Sequence, residues 1–247
     1  MTKLTFREFY KQCKKTPPRI YYTWAYHQIS YPLSYLMYRL GMSPNSISLT
    51  SIALNFVGAY LIIFQFEFLW GVVIFLASYI VDCCDGNVAR IEYQYLRIRN
   101  MESKVYIRGM AYENLNTNLS NFLFFISLGY YFSITQDSTA YLYLAIAAFG
   151  VKIMSRYSSL HISLLKRDLK AAEENEEDKQ LFKPTVLNEI KFFFARILNS
   201  TRAYFVLFIL AALFIPQFLS EFYVIYFVLI LFLSLAKLLL TFIRVQP

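Results

Sequence analysis

At 247 residues the chain is 57% hydrophobic and 19% aromatic, with a mean hydropathy of +0.42. A soluble domain of that length does not need so much apolar surface, so the composition excludes that class and points to an all-α integral membrane protein. The formal net charge of +8 suits anionic lipid headgroups. No soluble basic domain is present to carry nucleic acid.

Residues 1–43 read as an amphipathic, interfacial amino-terminal region. Leu4, Phe6, Phe9 and Tyr10 alternate with Lys3, Arg7, Lys11 and Lys14, and Pro17-Pro18 follows. The Tyr-rich stretch Ile20–Leu40 is interrupted by Pro32. These segments read as lying in the headgroup plane rather than crossing it. A cleaved signal peptide is the weaker reading, for lack of an uninterrupted apolar stretch and a small-residue cleavage site.

Residues 44–247 read as a six-helix membrane domain. Segments long enough for a hydrocarbon core of roughly 30 Å are Ser46–Phe66, Phe68–Cys84, Met110–Phe132, Ala140–Leu160, Ala203–Leu219 and Glu221–Ile243. The turns around Glu67, Asp137 and Gln217–Ser220 hold no Lys or Arg, whereas Arg90, Arg97, Arg99, Lys104 and Arg108 follow the second span. The positive-inside rule then places both termini and the loop after that span in the cytoplasm. A prokaryotic plasma (inner) membrane is the expected location.

Other polar features have plainer readings. Three cysteines are too few for a disulfide framework, and the neighbours Cys83 and Cys84 point about 100° apart on a helix, so reduced, packed thiols are expected. The mixed-charge stretch Lys166–Lys183 reads as a solvated segment. His27 and His161 sit among Tyr and Ser and read as interfacial hydrogen-bonders, while Lys237 and Arg244 anchor the end of the last helix.

The chemistry concentrates at Asp82-Cys-Cys-Asp85-Gly86-Asn-Val-Ala89-Arg90. A charge at the centre of a membrane helix costs about 2.5–3.5 kcal/mol on insertion scales, so acids placed there pair, bind ions or mark a functional cavity. At about 100° per residue, Asp82, Asp85, Gly86 and Ala89 fall on one helical face. Two hard oxygen ligands beside two small residues make that face a divalent-metal and phosphate site.

This motif resembles the opening of the CDP-alcohol phosphotransferase signature, D-x2-D-G-x2-A-R-x8-G-x3-D-x3-D. Upstream, Pro44-Asn45-Ser46-Ile47-Ser48 is similar to that family's Pro-Asn-x-x-Thr helix entry. The resemblance implies six membrane helices after an amphipathic helix, with two Mg²⁺ or Mn²⁺ ions held by signature acids from two adjacent helices. It also implies a CDP-alcohol donor, CDP-diacylglycerol by analogy. A lipid or small-alcohol acceptor would attack the phosphorus nearest the transferred alcohol, and CMP would leave. Asp82 and Asp85 would bind metal, and Gly86, Ala89, Arg90 and Asn45 the nucleotide. Homodimers are common in the family.

The second half of the signature departs. Arg99 stands where Gly belongs, and the next suitable glycine is Gly109. From it the spacing lands on Glu113 and Thr117 in place of the third and fourth Asp. Glu113 keeps a carboxylate for metal or base; Thr117, in the position of the family's expected base, cannot take a proton at pH 7. Asn114, Asn116 and Asn118 are candidates to hold substrate or water. Arg156 and Arg108 are candidate contacts for an acceptor phosphate, beside Lys152 and Arg202; a snorkelling role for Arg156 is the alternative. Three functional readings follow: a transferase with an altered metal shell, a relative that binds a CDP-alcohol, lipid or partner without turnover, and a small transporter with buried acids.

Overall fold

Ser43 and Pro44 start the first long apolar helix. The Ser43 hydroxyl accepts from the Ser46 amide at 3.2 Å, and Pro44 occupies the first turn, where its missing N–H costs nothing. The computed structural model describes residues 4–13, 21–64, 68–97, 102–173 and 201–243; side chains are not described for 21–25, 27, 93–97, 102–113, 159–173, 201–205 and 240–243. The described residues form α1 (Phe6–Cys13), α2 (Tyr21–Arg39), α3 (Pro44–Ile63), α4 (Phe68–Arg97), α5 (Glu102–Thr135), α6 (Ala140–Glu173), α7 (Thr201–Phe214), a 3-10 turn (Pro216–Phe218) and α8 (Leu219–Ile243). Among these residues there is no strand.

Apolar side chains point both ways, as hydrocarbon on the outside requires. Leu49, Phe56 and Tyr60 on α3, Phe64 at its C-cap, and Ile225, Phe232 and Leu239 on α8 are exposed. Inside, Phe75, Phe124, Phe125, Phe132, Phe208, Tyr223 and Phe227 form, with Leu128, a largely aromatic core. Phe125 and Phe227 lie 4.8 Å apart between centroids and Tyr223 and Phe227 4.2 Å. The Tyr223 hydroxyl donates to the Tyr141 carbonyl at 2.8 Å, tying α8 to α6.

Small residues bring backbones together where apolar burial alone gives little specificity. A Cβ on Gly71 would stand 2.4 Å from Ile62 Cγ1 and 2.9 Å from the Gly58 carbonyl, and one on Gly129 would stand 2.6 Å from Ala145 Cβ. These contacts set the α3–α4 and α5–α6 crossings away from the acid motif.

By length and composition, three helices among the described residues are able to cross a bilayer: Pro44–Ile63, Phe68–Glu92 and Pro216–Leu239. This makes the chain a membrane protein; the expected six spans exceed that number. α5 and α6 fall short because their motif-end halves carry Asn114, Asn116, Asn118, Asn121, Lys152 and Arg156. α7 has 14 residues in the described stretch. The Lys166–Lys183 charge run lies outside the described residues beyond Glu173, and His27 and His161 are described by backbone alone.

α1 is anchored at both ends. Thr5 and Glu8 form a reciprocal cap: the Thr5 amide and hydroxyl donate to Glu8 Oε2 at 2.8 and 2.7 Å, and the Glu8 amide donates to Thr5 Oγ1 at 3.4 Å. Phe9 and Cys13 are fully buried against α2 and α4, with Phe9 5.6 Å from Tyr35 and 5.4 Å from Tyr38, while Arg7, Glu8 and Lys11 face outward.

Candidate functional site

Three helices carry polar residues at steps of three and four, which keeps each set on one face. α3 carries Ser48, Ser51 and Asn55; α4 carries Ser78, Asp82 and Asp85; α5 carries Asn116 and Ser120. In the fold these stripes face each other. Ser48, Ser51, Asn55, Ser78 and Asn116 are each 5% exposed or less. A buried polar group left unpaired costs about 1–3 kcal/mol, so the network must close on itself.

It does close. Ser78 Oγ contacts the Ser51 carbonyl at 2.9 Å and Asn55 Oδ1 at 2.8 Å. Asn55 Oδ1 also accepts from Ser120 at 3.1 Å, and its amide donates to Asn116 Oδ1 at 3.3 Å. The Asn116 amide then spends its hydrogens on Ser51 Oγ at 3.0 Å and Asp82 Oδ1 at 2.5 Å. One helical turn on, Ser48 Oγ donates to Asp85 Oδ2 at 2.5 Å. Two neutral donors on neighbouring helices thus orient the two carboxylates without neutralising them, as partners behind metal-ligating acids do.

In front of the acids, a Cβ on Gly86 would meet nothing within 4 Å among the described residues, unlike those on Gly58, Gly71 and Gly129. Packing among those residues does not require glycine here, and a helical glycine costs about 1 kcal/mol relative to alanine. Gly86 is therefore suited to the approach of something other than the protein's own side chains. Asp82, Asp85, Gly86, Ala89 and Arg90 are all half-buried, from the middle of α4 onward, and Asn45 is exposed in the first turn of α3.

The helix itself continues to Arg97, well beyond the apolar segment ending at Cys84, so the whole motif is helical. Cys83 is half-buried and Cys84 buried, neither in a disulfide, and the Cys84 thiol donates to the Ile80 carbonyl at 3.2 Å.

The second half of the site is only partly described. Arg108, Gly109 and Glu113 lie on α5, but their side chains are outside the described residues. Helical periodicity puts position 113 roughly 60° from Asn116, on the face turned to Asp82, and Thr117 roughly 100° away toward its edge. Among the described residues no three His, Cys, Asp or Glu side chains come together. Asp82 and Asp85 thus offer two carboxylates, a donor set that suits Mg²⁺ when phosphate oxygens complete it.

Arg156 sits elsewhere. Its Nη1 donates to Asn118 Oδ1 at 3.1 Å and its Nη2 to Asn114 Oδ1 at 2.9 Å. Asn114 and Asn118 each lie roughly 160° around α5 from Asn116, so Arg156 grips the α6-facing side and not the side of the acids. Lys152 reaches Asn121 at 3.5 Å, and both Lys152 and Lys237 lie within electrostatic reach of Arg156. The Arg202 side chain lies outside the described residues.

Sequence reading singled out the acids but passed over Ser51, Asn55 and Ser78, and gave Asn116 only a general role. The signal was present as polar residues at helical spacing inside apolar segments. No curated protein matches the chain. Residues 41–95, which contain the entry to α3, the α3–α4 hairpin and the complete acid motif, match the family model CDP-alcohol phosphatidyltransferase, and this match supports placing the chain in that family.

Proposed function

We propose that the protein transfers a phospho-alcohol group from a CDP-alcohol, CDP-diacylglycerol by preference, to an acceptor hydroxyl with release of CMP, in phospholipid synthesis. One observation carries this reading. Two oriented carboxylates share a face with a glycine that no packing contact among the described residues explains. Asp82 and Asp85, with Glu113 from α5, would hold divalent cations, Mg²⁺ or Mn²⁺, which when bound supply charge neutralisation of the diphosphate.

The residues of the chain have distinct tasks in this reading. Gly86 and Ala89 admit the diphosphate to the helix surface, Arg90 supplies a charge-assisted contact to it, and Asn45 and Gly109 border the nucleotide. The acceptor oxygen forms a bond to the phosphorus nearest the transferred alcohol. The bond from that phosphorus to the CMP oxygen breaks, and the hydroxyl proton passes to Glu113. Thr117 has no basicity for that step. For an acceptor that itself bears phosphate, Arg156 and Arg108 are the proposed contacts; Arg156, held by two neutral amides on the α6-facing side of α5, would meet a part of the acceptor remote from the acids. The six-span arrangement, with the amino-terminal helices lying in the interface and the motif on the cytoplasmic side, belongs to the same reading.

The measurement is CMP release by purified protein in lipid or detergent, with CDP-diacylglycerol, Mg²⁺ or Mn²⁺ and a panel of hydroxyl acceptors. Turnover that disappears in Asp82→Asn is expected. Saturable CDP binding with no turnover across the panel would instead establish a binding protein, the reading that Thr117 at the expected base position favours. Ion-coupled uptake without CDP binding would replace both with a transporter.

A further inference from the structure

Arg90 stands at the border between two faces of α4. It lies roughly 80° from Asp82 and roughly 60° from Asn87, whose own side chain points away from the acids toward α2. Asn87 is completely buried. Its amide nitrogen donates to Ser30 Oγ at 3.1 Å and to Ser34 Oγ at 2.8 Å, and its Oδ1 accepts a short hydrogen bond from Arg90 Nη2.

The orientation of that amide is determined by its partners. Ser34 Oγ has one proton and directs it to the Ser30 carbonyl at 2.5 Å, so toward Asn87 it can only accept. Arg90 can only donate. The amide must therefore turn its nitrogen to α2 and its oxygen to Arg90. The Cys13 thiol of α1 donates to the Asn87 carbonyl at 3.2 Å and fixes the backbone at the same residue. The acceptor offered to Arg90 is neutral, so it holds the guanidinium without cancelling its charge. Arg90 Nε is buried and has no hydrogen-bond partner among the described residues.

We infer that Asn87, locked by Ser34 and Ser30 of α2, is a positioning residue for Arg90 and aims its guanidinium at the phosphate groups of a nucleotide lying along the Asp82–Asp85 face. The target of Arg90 rests on the CDP-alcohol reading; the hold on Arg90 does not.

Two readouts separate them. Arginine modification by phenylglyoxal, followed by peptide mass, reports the freedom of Arg90 with no nucleotide present. Asn87→Ala should raise the Arg90 rate about fivefold, the equivalent of one ordinary hydrogen bond, while Arg156 is unchanged and serves as the internal reference. An unchanged Arg90 rate overturns the inference. Ser34→Ala, which keeps Asn87 but removes the acceptor that orients it, should move the Arg90 rate in the same direction by less, and carries the test should Asn87→Ala fail to fold.

In the second readout, CDP binding with Mg²⁺ should weaken about fivefold in Asn87→Ala, and the Asn87→Ala/Arg90→Ala double variant should be no worse than Arg90→Ala alone, because the first acts through the second. Fully additive losses would show that Asn87 acts by another route and overturn its positioning role. If the wild-type protein binds no CDP while the Arg90 rate still rises in Asn87→Ala, the nucleotide reading falls and the hold on Arg90 stands.

Discussion

Gly86 shows how a single residue separates stability from function. It lies inside α4, where a helix prefers alanine by about 1 kcal/mol, and a Cβ there would meet none of the described residues within 4 Å. Gly86→Ala is thus expected to raise the melting temperature in detergent while weakening CDP binding, and Gly86→Leu to weaken it further. A leucine variant that binds CDP as well as the wild type would remove Gly86 from the site. The acids and the glycine were legible in the sequence because fixed spacing on a helix needs no tertiary information. Asn116 was not, since Asn114 and Asn118 share one side of α5 and Asn116 the opposite one, and only packing decides which side meets Asp82. The signature spacing from Gly109 points to Glu113 and Thr117; the α5 hydrogen bond that reaches Asp82 comes from Asn116, a neighbour that this spacing does not mark.

Helix ends were the least legible elements, and α1 is the example. Its apolar alternation indicated a surface helix, but the Thr5–Glu8 cap that starts it depends on two residues that individually look like solvent-facing polar positions. Two hydrogen bonds from Thr5 hold the Glu8 carboxyl below its ordinary pKa, the backbone one foremost. A lowered carboxylate pKa contributes stability above the unfolded value, and that contribution is lost as pH falls through the lowered one. Hydrogen exchange at the amides of residues 6–13 should therefore be slow at neutral pH and gain protection loss below about pH 4, where the unfolded Glu titrates; Glu8→Gln should flatten that acid dependence. The docking of α1 has a second reporter. Burial pushes the Cys13 thiol up to about 11, with Arg90 opposing the shift, so alkylation at pH 8 should be slow and should accelerate in Glu8→Ala if the cap holds α1 against α4. Equal rates in the two proteins would show that the buried Phe9 and Cys13 hold α1 without help from its cap.

Over the whole molecule, average hydropathy marks three spans among the described residues, and it is blind to where polar side chains point. Averaging treats Asn116, Ser120 and Asn121 as if they faced lipid, yet each is hydrogen-bonded, and Asn116 and Asn121 are buried. α5 and α6 are 34 residues each, roughly 50 Å at 1.5 Å per residue, well over the roughly 30 Å of hydrocarbon. They form an antiparallel pair joined at Gln136–Thr139, with Gly129 packed on Ala145. A pair of that length, with Asn116 and Asn121 buried, is long enough to cross. The two arrangements place the turn before α8 on opposite sides. If all six segments cross, Ser138 and Ser220 lie on the face opposite the motif, in turns without Lys or Arg, and the carboxyl terminus returns to the motif side. If only α3, α4 and α8 cross, Ser220 stays on the motif side and the carboxyl terminus leaves it. Single cysteines at positions 100, 138 and 220, in a protein whose three native cysteines are replaced, should separate the cases by labelling intact cells with a membrane-impermeant maleimide. Labelling at 138 and 220, with 100 protected until the membrane is opened, is the expected result. Protection at 220 with a carboxyl-terminal tag accessible from outside would reduce the bundle to three spans.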